Sequence, residues 1–277
     1  MATKITYTVL FVSDRTGITA ELLGKTLLTQ FPGVEFHKRT MPFIDSAEKA
    51  RQLVQEINQL ARQQDKSPIV FSTLIDEELR NIITTADALC LDLFEGFIRR
   101  LETKLGVESS HALGLSHGMG DELAYQKRMD ALNYTLAHDD GINTAGYDRA
   151  DVILVGVSRT GKTPTCLYLA MQYGICAANY PLTPDDFSDS KLPAPLLAHR
   201  AKLYGLTIHP KRLARIRHER KPDSRYAALE NCQREIHSAE MLLQQAQVPL
   251  LDTSTMSVEE IAISILHGSG LIKRIKN

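Results

Sequence analysis

Gly156-Val157-Ser158-Arg159-Thr160-Gly161-Lys162-Thr163 spells the phosphate-loop pattern G-x-x-x-x-G-K-[ST] in full. Each residue type has a task there. Gly156 and Gly161 let backbone turn tightly and come close to phosphate oxygens without a Cβ in the way. Successive N–H groups then face one concavity at the positive end of a helix. Lys162 would reach terminal phosphates, the Thr163 hydroxyl would hold Mg²⁺, and Arg159 would add a second cation or face solvent. The apolar run Val152 to Val155 before the loop predicts a strand, and Leu167, Leu169, Ala170 and Tyr173 after it predict a helix with an apolar side.

Other segments carry weaker chemistry. His138-Asp139-Asp140-Gly141 sets two carboxylates beside an imidazole just before the loop strand, a pattern that suits Mg²⁺ binding or proton abstraction from a hydroxyl. It also reads as a helix end with Gly141 as cap, but Asp is unfavourable at that negative pole. Ser13-Asp14-Arg15-Thr16-Gly17 joins a strand to a helix, where open α/β sheets bind ligands. Ser13, Asp14, Thr16 and Gly17 are thus candidates for a second phosphate site, or else simply a turn and cap. Lys211, Arg212, Arg215, Arg217, Arg220, Lys221 and Arg225 form a basic run at helical spacing, a phosphate lid, a docking face or a solvated helix side. Asp252 ends an apolar strand where a Walker-B carboxylate would sit.

The elements needed to position these groups alternate. Strands are expected at Tyr7–Val12, Val34–Thr40, Pro68–Thr73 and Ala88–Leu93, with helices between them. The first helix carries Leu22, Leu23, Leu27 and Phe31 on one side, and Asp45 with Glu48 suggests a capping box for a helix from Ala47 to about Gln64. Gly106 to Gly120 breaks the pattern. A helix from about Asp121 to Ala137 then leads into a second series, with strands at Ile175–Tyr180, Leu203–Ile208 and Val248–Leu251. The expected class is α/β: an N-terminal parallel-sheet unit over 1–105, a linker and helix with the His-Asp-Asp-Gly segment over 106–145, and a kinase-like phosphate-loop unit over 146–277. No repeated sequence of fixed period is visible.

Composition narrows the class. The chain has 277 residues, 43% apolar and 23% charged, with a net charge of −1, so no bulk basic field points to nucleic acid. No apolar run reaches membrane-spanning length, and Met1 to Ile5 lacks a signal pattern. Cys90, Cys166, Cys176 and Cys232 have no C-x-x-C spacing and suggest reduced thiols in a cytoplasmic protein. Three classes fit the residues: a kinase, including an ATP-dependent small-molecule kinase; an NTP-driven switch, although no Asn-Lys-x-Asp motif is present; and a nucleotide sensor without turnover. Two α/β units beside one phosphate loop favour the kinase, without naming the acceptor.

The string Gly156 to Thr165, with Leu167-Tyr168-Leu169-Ala170-Met171-Gln172-Tyr173-Gly174-Ile175 and Ala177-Ala178-Asn179-Tyr180-Pro181, resembles the phosphoenolpyruvate synthase regulatory proteins, relatives of the pyruvate, phosphate dikinase regulatory proteins. The likeness continues in Ser13-Asp14-x-Thr16, Tyr134 to Gly141, Gly205 to Ile208, Ser224 to Ala227 and Ser257 to Ala262, nearly the whole chain. Gly161 stands before Lys162, as in the synthase-type branch; the dikinase-type branch often has Ser there. The resemblance implies a bifunctional serine/threonine kinase and phosphorylase. ADP would phosphorylate a Thr near the catalytic His of phosphoenolpyruvate synthase, switching it off. Inorganic phosphate would remove that group as pyrophosphate. The resemblance carries Gly156 to Thr163 over as the ADP site. Asp139 or Asp140, beside His138, is the expected proton acceptor. A homodimer is expected on base rates alone.

Overall fold

A computed structural model describes residues 5–64, 66–110, 122–188 and 191–272. The chain divides into two compact units, Met1–Gly120 and Asp121–Asn277. Part of the expected break at Gly106–Gly120, including His111 and His117, lies outside the described residues.

The first unit runs β1 (Ile5–Val12), α1 (Ile18–Leu28), β2 (Val34–Met41), α2 (Ala47–Gln63), β3 (Ile69–Ser72), α3 (Glu77–Ile83), β4 (Leu89–Asp92) and α4 (Glu95–Leu105). All its strands are parallel, in the order β2-β1-β3-β4. Alternation along the strands feeds two cores. Leu10, Val12 and Val70 pack with Leu53, Ile57, Leu79 and Ile83 from α2 and α3. Val9, Phe11 and Phe71 pack under α1 with Ala20 and Leu28.

Two expectations here are corrected. The stripe Leu22, Leu23, Leu27 and Phe31 faces solvent; Ala20, Gly24 and Leu28 face the sheet. The rings of the sheet explain this, because a Cβ on Gly24 would lie 2.4 Å from Phe11 Cε1. Only small residues fit where α1 crosses those rings. At α2 the cap is Ser46, whose Oγ accepts from Lys49 N–H, while Asp45 pairs with the Lys49 ammonium.

The second unit contains α5 (Glu122–Ala137), β5 (Val152–Val157), α6 (Lys162–Tyr173), β6 (Ala177–Leu182), α7 (Ala194–Leu197), β7 (Leu203–Thr207), α8 (Pro210–Arg220), α9 (Leu229–Gln245), β8 (Leu250–Asp252) and α10 (Val258–Gly268). Its strands are parallel in the order β6-β5-β7-β8. Every residue of β5 is buried. Ile153, Val155 and Val157 enter a core with α8 and α9, and Val152 and Leu154 enter the opposite core with α6 and α10. A strand covered on both faces needs a continuous apolar run, which is what Val152 to Val155 supplies.

Each unit therefore repeats one plan: its first strand is central, flanked by its second and third strands, with the fourth at the edge. Strand order reverses beside the first strand, and ligands of open α/β sheets bind at such a reversal. Ser13–Gly17 and the glycine loop occupy that same place in their respective units. Among the described residues, no helix is long and apolar enough to cross a membrane.

Candidate active site

The glycine loop leaves β5 and enters α6 at Lys162, with Gly161 left-handed at φ 90° as the helix cap. Gly156 lies against β7: a Cβ there would stand 2.3 Å from the carbonyl oxygen of Leu206. Arg159 is left-handed too, at φ 76°, and exposed. Thr160 Oγ1 donates to Val157 O at 3.0 Å, and Thr253 Oγ1 donates to Thr160 O at 3.2 Å, which ties the turn to the end of β8.

Lys162 is buried and donates from Nζ to Val157 O at 2.9 Å, inside its own loop. Burial pulls its pKa down to about 8, against a smaller upward pull from the Asp140 and Asp139 charges. A cation held this way is short of partners, and an anionic ligand would supply them.

Asp139 and Asp140 form a short 3₁₀ turn after α5, and Asp140 is left-handed at φ 49°. Thr163 Oγ1 donates to Asp139 Oδ1 at 2.9 Å. Asn179, fully buried in β6, orders the pair from beneath: its Nδ2 donates to Asp139 Oδ1, and its Oδ1 accepts from Asp140 N–H at 3.1 Å. Asn179 N–H reaches His138 O at 3.3 Å, and Tyr147 OH donates to Asn179 O at 3.0 Å. Asp139 is thus committed to the loop threonine. The Asp140 side chain is exposed, yet its charge acts on Lys162 more strongly than that of Asp139.

His138 has a different setting. Its ring is buried, stacks on Tyr134 at 4.0 Å and donates from Nδ1 to Tyr134 O at 2.7 Å. Burial raises the pKa of Tyr134, whose hydroxyl donates to Gly146 O at 2.9 Å. His138 therefore packs the end of α5 against the 146–147 segment and hydrogen-bonds to no residue of the glycine loop.

Two residues that organise the candidate site are marked out by no motif, although Arg217 stands in the basic run. Asn179 is one; its signal is a lone amide in the apolar stretch Ile175 to Tyr180, since a buried polar group needs partners. Arg217 is the other. Within the basic run it alone is fully buried among the described residues. Its Nη2 donates to Ser158 O at 3.2 Å and Glu235 Oε2 at 2.8 Å, its Nη1 donates to Tyr226 O at 3.1 Å, and its guanidinium lies 4.0 Å over the Tyr226 ring. Ser158 Oγ and Tyr226 OH are 2.9 Å apart. Helix periodicity puts Leu213 and Arg217 on one face, and that spacing is the available signal. Asp252 accepts from Ser254 N–H at 2.8 Å, on a strand that β7 separates from β5, so the carboxylate at the loop threonine comes from upstream.

In the first unit, Ser13, Asp14, Thr16 and Gly17 line a small crevice with Arg15 and Thr73. Ser13 Oγ donates to Asp14 Oδ1 at 3.4 Å and accepts from Arg15 N–H at 3.2 Å. Asp14 is buried, its Oδ2 has no hydrogen-bond partner, and burial raises its pKa.

A glycine loop on a helix start, a buried lysine and two carboxylates define a site suited to phosphoryl chemistry. The comparisons agree with that class. The chain belongs to the kinase/pyrophosphorylase family, whose model matches residues 9–266. It is 52% identical over 273 residues to a protein of Alkalilimnicola ehrlichii, covering 99% of both chains. It is 50% identical to one of Pseudomonas savastanoi pv. phaseolicola, covering 96% of this chain and 98% of the relative. A protein of Laribacter hongkongensis is 51% identical, over 95% and 97%. Each relative bears the provisional name phosphoenolpyruvate synthase regulatory protein.

Proposed function

We propose that this chain regulates phosphoenolpyruvate synthase by moving a phosphoryl group on and off a threonine of that enzyme, with ADP as donor and inorganic phosphate as acceptor. The observation that carries the chemistry is the meeting of Asp139, Asp140, Lys162 and Thr163 in one place. The target comes from the names of relatives about half identical over nearly their full length. The nucleotide rests on the likeness of sequence.

In the kinase direction the diphosphate lies in the glycine loop, with Lys162 turned from Val157 O to the transferred group. Asp140 takes the proton from the incoming threonine hydroxyl. The threonine oxygen bonds to the β-phosphorus, the bond to the bridging oxygen breaks, and AMP leaves with the electron pair. In the other direction an oxygen of inorganic phosphate attacks the phosphothreonine phosphorus. The threonine oxygen departs, regains a proton from Asp140, and pyrophosphate is released. Asp139 holds Thr163 in register and Asp140 handles the proton, because only the Asp140 carboxylate is uncommitted.

Mg²⁺ fits this site. One hydroxyl and one carboxylate oxygen already adjoin at Thr163 and Asp139. An ion of this kind takes most of its shell from phosphates and water. Thr163 and Asp139 would hold it, and it would neutralise charge on the transferred group.

Incubation with phosphoenolpyruvate synthase, phosphoenolpyruvate and either ADP or ATP tests the proposal. Phosphothreonine with ADP, removed again by phosphate with release of pyrophosphate, is the expected result. Transfer from ATP alone points to an ordinary kinase, and tight nucleotide binding without transfer points to a sensor. Lys162→Ala should abolish both directions. Intact phosphorolysis in that variant would move the phosphate site to the Ser13–Gly17 crevice.

A further inference from the structure

In the first unit the chain leaves β1 through Ser13 and Asp14 and enters α1 at Ile18, while Thr73 at the end of β3 forms another wall of the crevice there. The crevice has one feature that a turn does not need. Asp14 is 6% exposed, and no described residue gives its Oδ2 a hydrogen bond. An ionised carboxylate only accepts, so a buried oxygen of this kind calls for a donor. Ser13 Oγ is already committed to the other oxygen, Oδ1. The start of α1 has the complementary need. Its cap is Gly17, and no side chain caps the helix. First-turn amides at the positive pole of a helix call for an anion. Arg15 stands beside them, exposed, and Ile18, Ile75 and Phe94 make an apolar lip.

We propose that this crevice binds a small organic acid with a hydrogen-bond donor on the carbon next to its carboxylate, an α-amino or α-hydroxy acid. The carboxylate lies at the start of α1 with Arg15 as counter-ion. The amino or hydroxyl group donates to Asp14 Oδ2, and a short apolar side chain rests on the lip. Size agrees. The crevice offers about 30 Å³, room for about two or three water-sized groups. That suits such a head group and excludes a nucleotide. Charge agrees as well. Inorganic phosphate would press its own negative charge against a buried carboxylate, which sets this crevice apart from a second phosphate site. Burial raises the Asp14 pKa, and a donor on Oδ2 offsets that cost of ionisation. The first unit then carries a binding site of its own, independent of the phosphoryl chemistry.

Titration calorimetry of the full chain tests this with L-alanine, L-lactate and pyruvate, which share one carbon skeleton and differ only at the second carbon. L-Alanine or L-lactate should bind with a millimolar dissociation constant or lower, and whichever binds tighter names the donor. Pyruvate, which has no donor there, should bind at least about tenfold more weakly. Excess inorganic phosphate should not displace the bound acid. Asp14→Asn should weaken binding at least about tenfold with far-UV dichroism unchanged. Should asparagine disturb folding, Arg15→Gln at its exposed position replaces it, with binding at least about threefold weaker. No binding of either donor-bearing acid overturns the proposal. So does pyruvate bound as tightly as lactate, displacement by phosphate, or full affinity in Asp14→Asn.

Discussion

Arg217 Nη2 donates to the carbonyl of Ser158 at 3.2 Å, so a fully buried guanidinium from α8 holds a backbone oxygen inside the glycine loop. The same group spans Glu235 and Tyr226. It fixes the turn just before Arg159, whose positive φ needs support from outside.

Arg217→Met should therefore strand Glu235 and free the loop, at a cost of about 3 kcal/mol in chemical denaturation. The KM for the nucleotide should rise more than kcat falls, because Arg217 touches the loop and not the reacting atoms. Arg217→Lys should restore part of the stability and less of the nucleotide affinity, since an ammonium lacks the planar fork. Equal stability in the methionine variant and wild type contradicts the strut.

The two carboxylates should separate in kinetics. Asp140→Asn should slow transfer at least about a hundredfold with nucleotide affinity kept, the mark of a proton acceptor. Asp139→Asn should weaken Mg²⁺-dependent nucleotide binding as well as rate, because its oxygen engages Thr163. If Asp140→Asn transfers at more than a tenth of the normal rate, proton transfer belongs elsewhere.

Asn179→Leu removes the amide that holds both aspartates. Loss of about 2 kcal/mol in stability is expected from unpaired buried groups, together with a fall in rate. Asn179→Asp should be worse for rate, because a carboxylate cannot donate to Asp139. Normal turnover in either variant would show that the turn holds itself.

Lys162 makes stability depend on pH in a definite sense. Its folded pKa, about 8, lies below the ordinary 10.5. Below pH 8 both states carry the proton and the burial penalty is complete. Between about 8 and 10.5 the unfolded chain binds more protons, so stability rises with pH. Relative to Lys162→Met, the wild type should gain more than about 1 kcal/mol on going from about pH 7 to about pH 10. A difference that stays flat across that window means the amine titrates normally.

Much of the fold and half of the site are legible in the order of residues. The all-apolar β5, the glycines around the loop and Pro210 at the start of α8 announce their elements through strong local physics. Ser46 displaces Asp45 as a cap because a one-residue shift costs little and both types can accept from the helix start. The apolar stripe of α1 is real and points the wrong way; what turns it outward is the bulk of Phe11 and Phe71, which the helix's own sequence does not contain. Asn179 and Arg217 are hidden for a related reason. Each matters through partners 39 or more residues away, namely Asp140 for one and Ser158 for the other, and only folding brings them together.

The hydrogen bond from Lys162 to Val157 O keeps the loop's cation latched inward on its own backbone. A ligand must unlatch it, giving up that bond before gaining its own. By Coulomb's law a densely charged anion repays the exchange more readily than a weakly charged one. Under the proposed function, the latch would select ligands by charge density before any base or ribose is read.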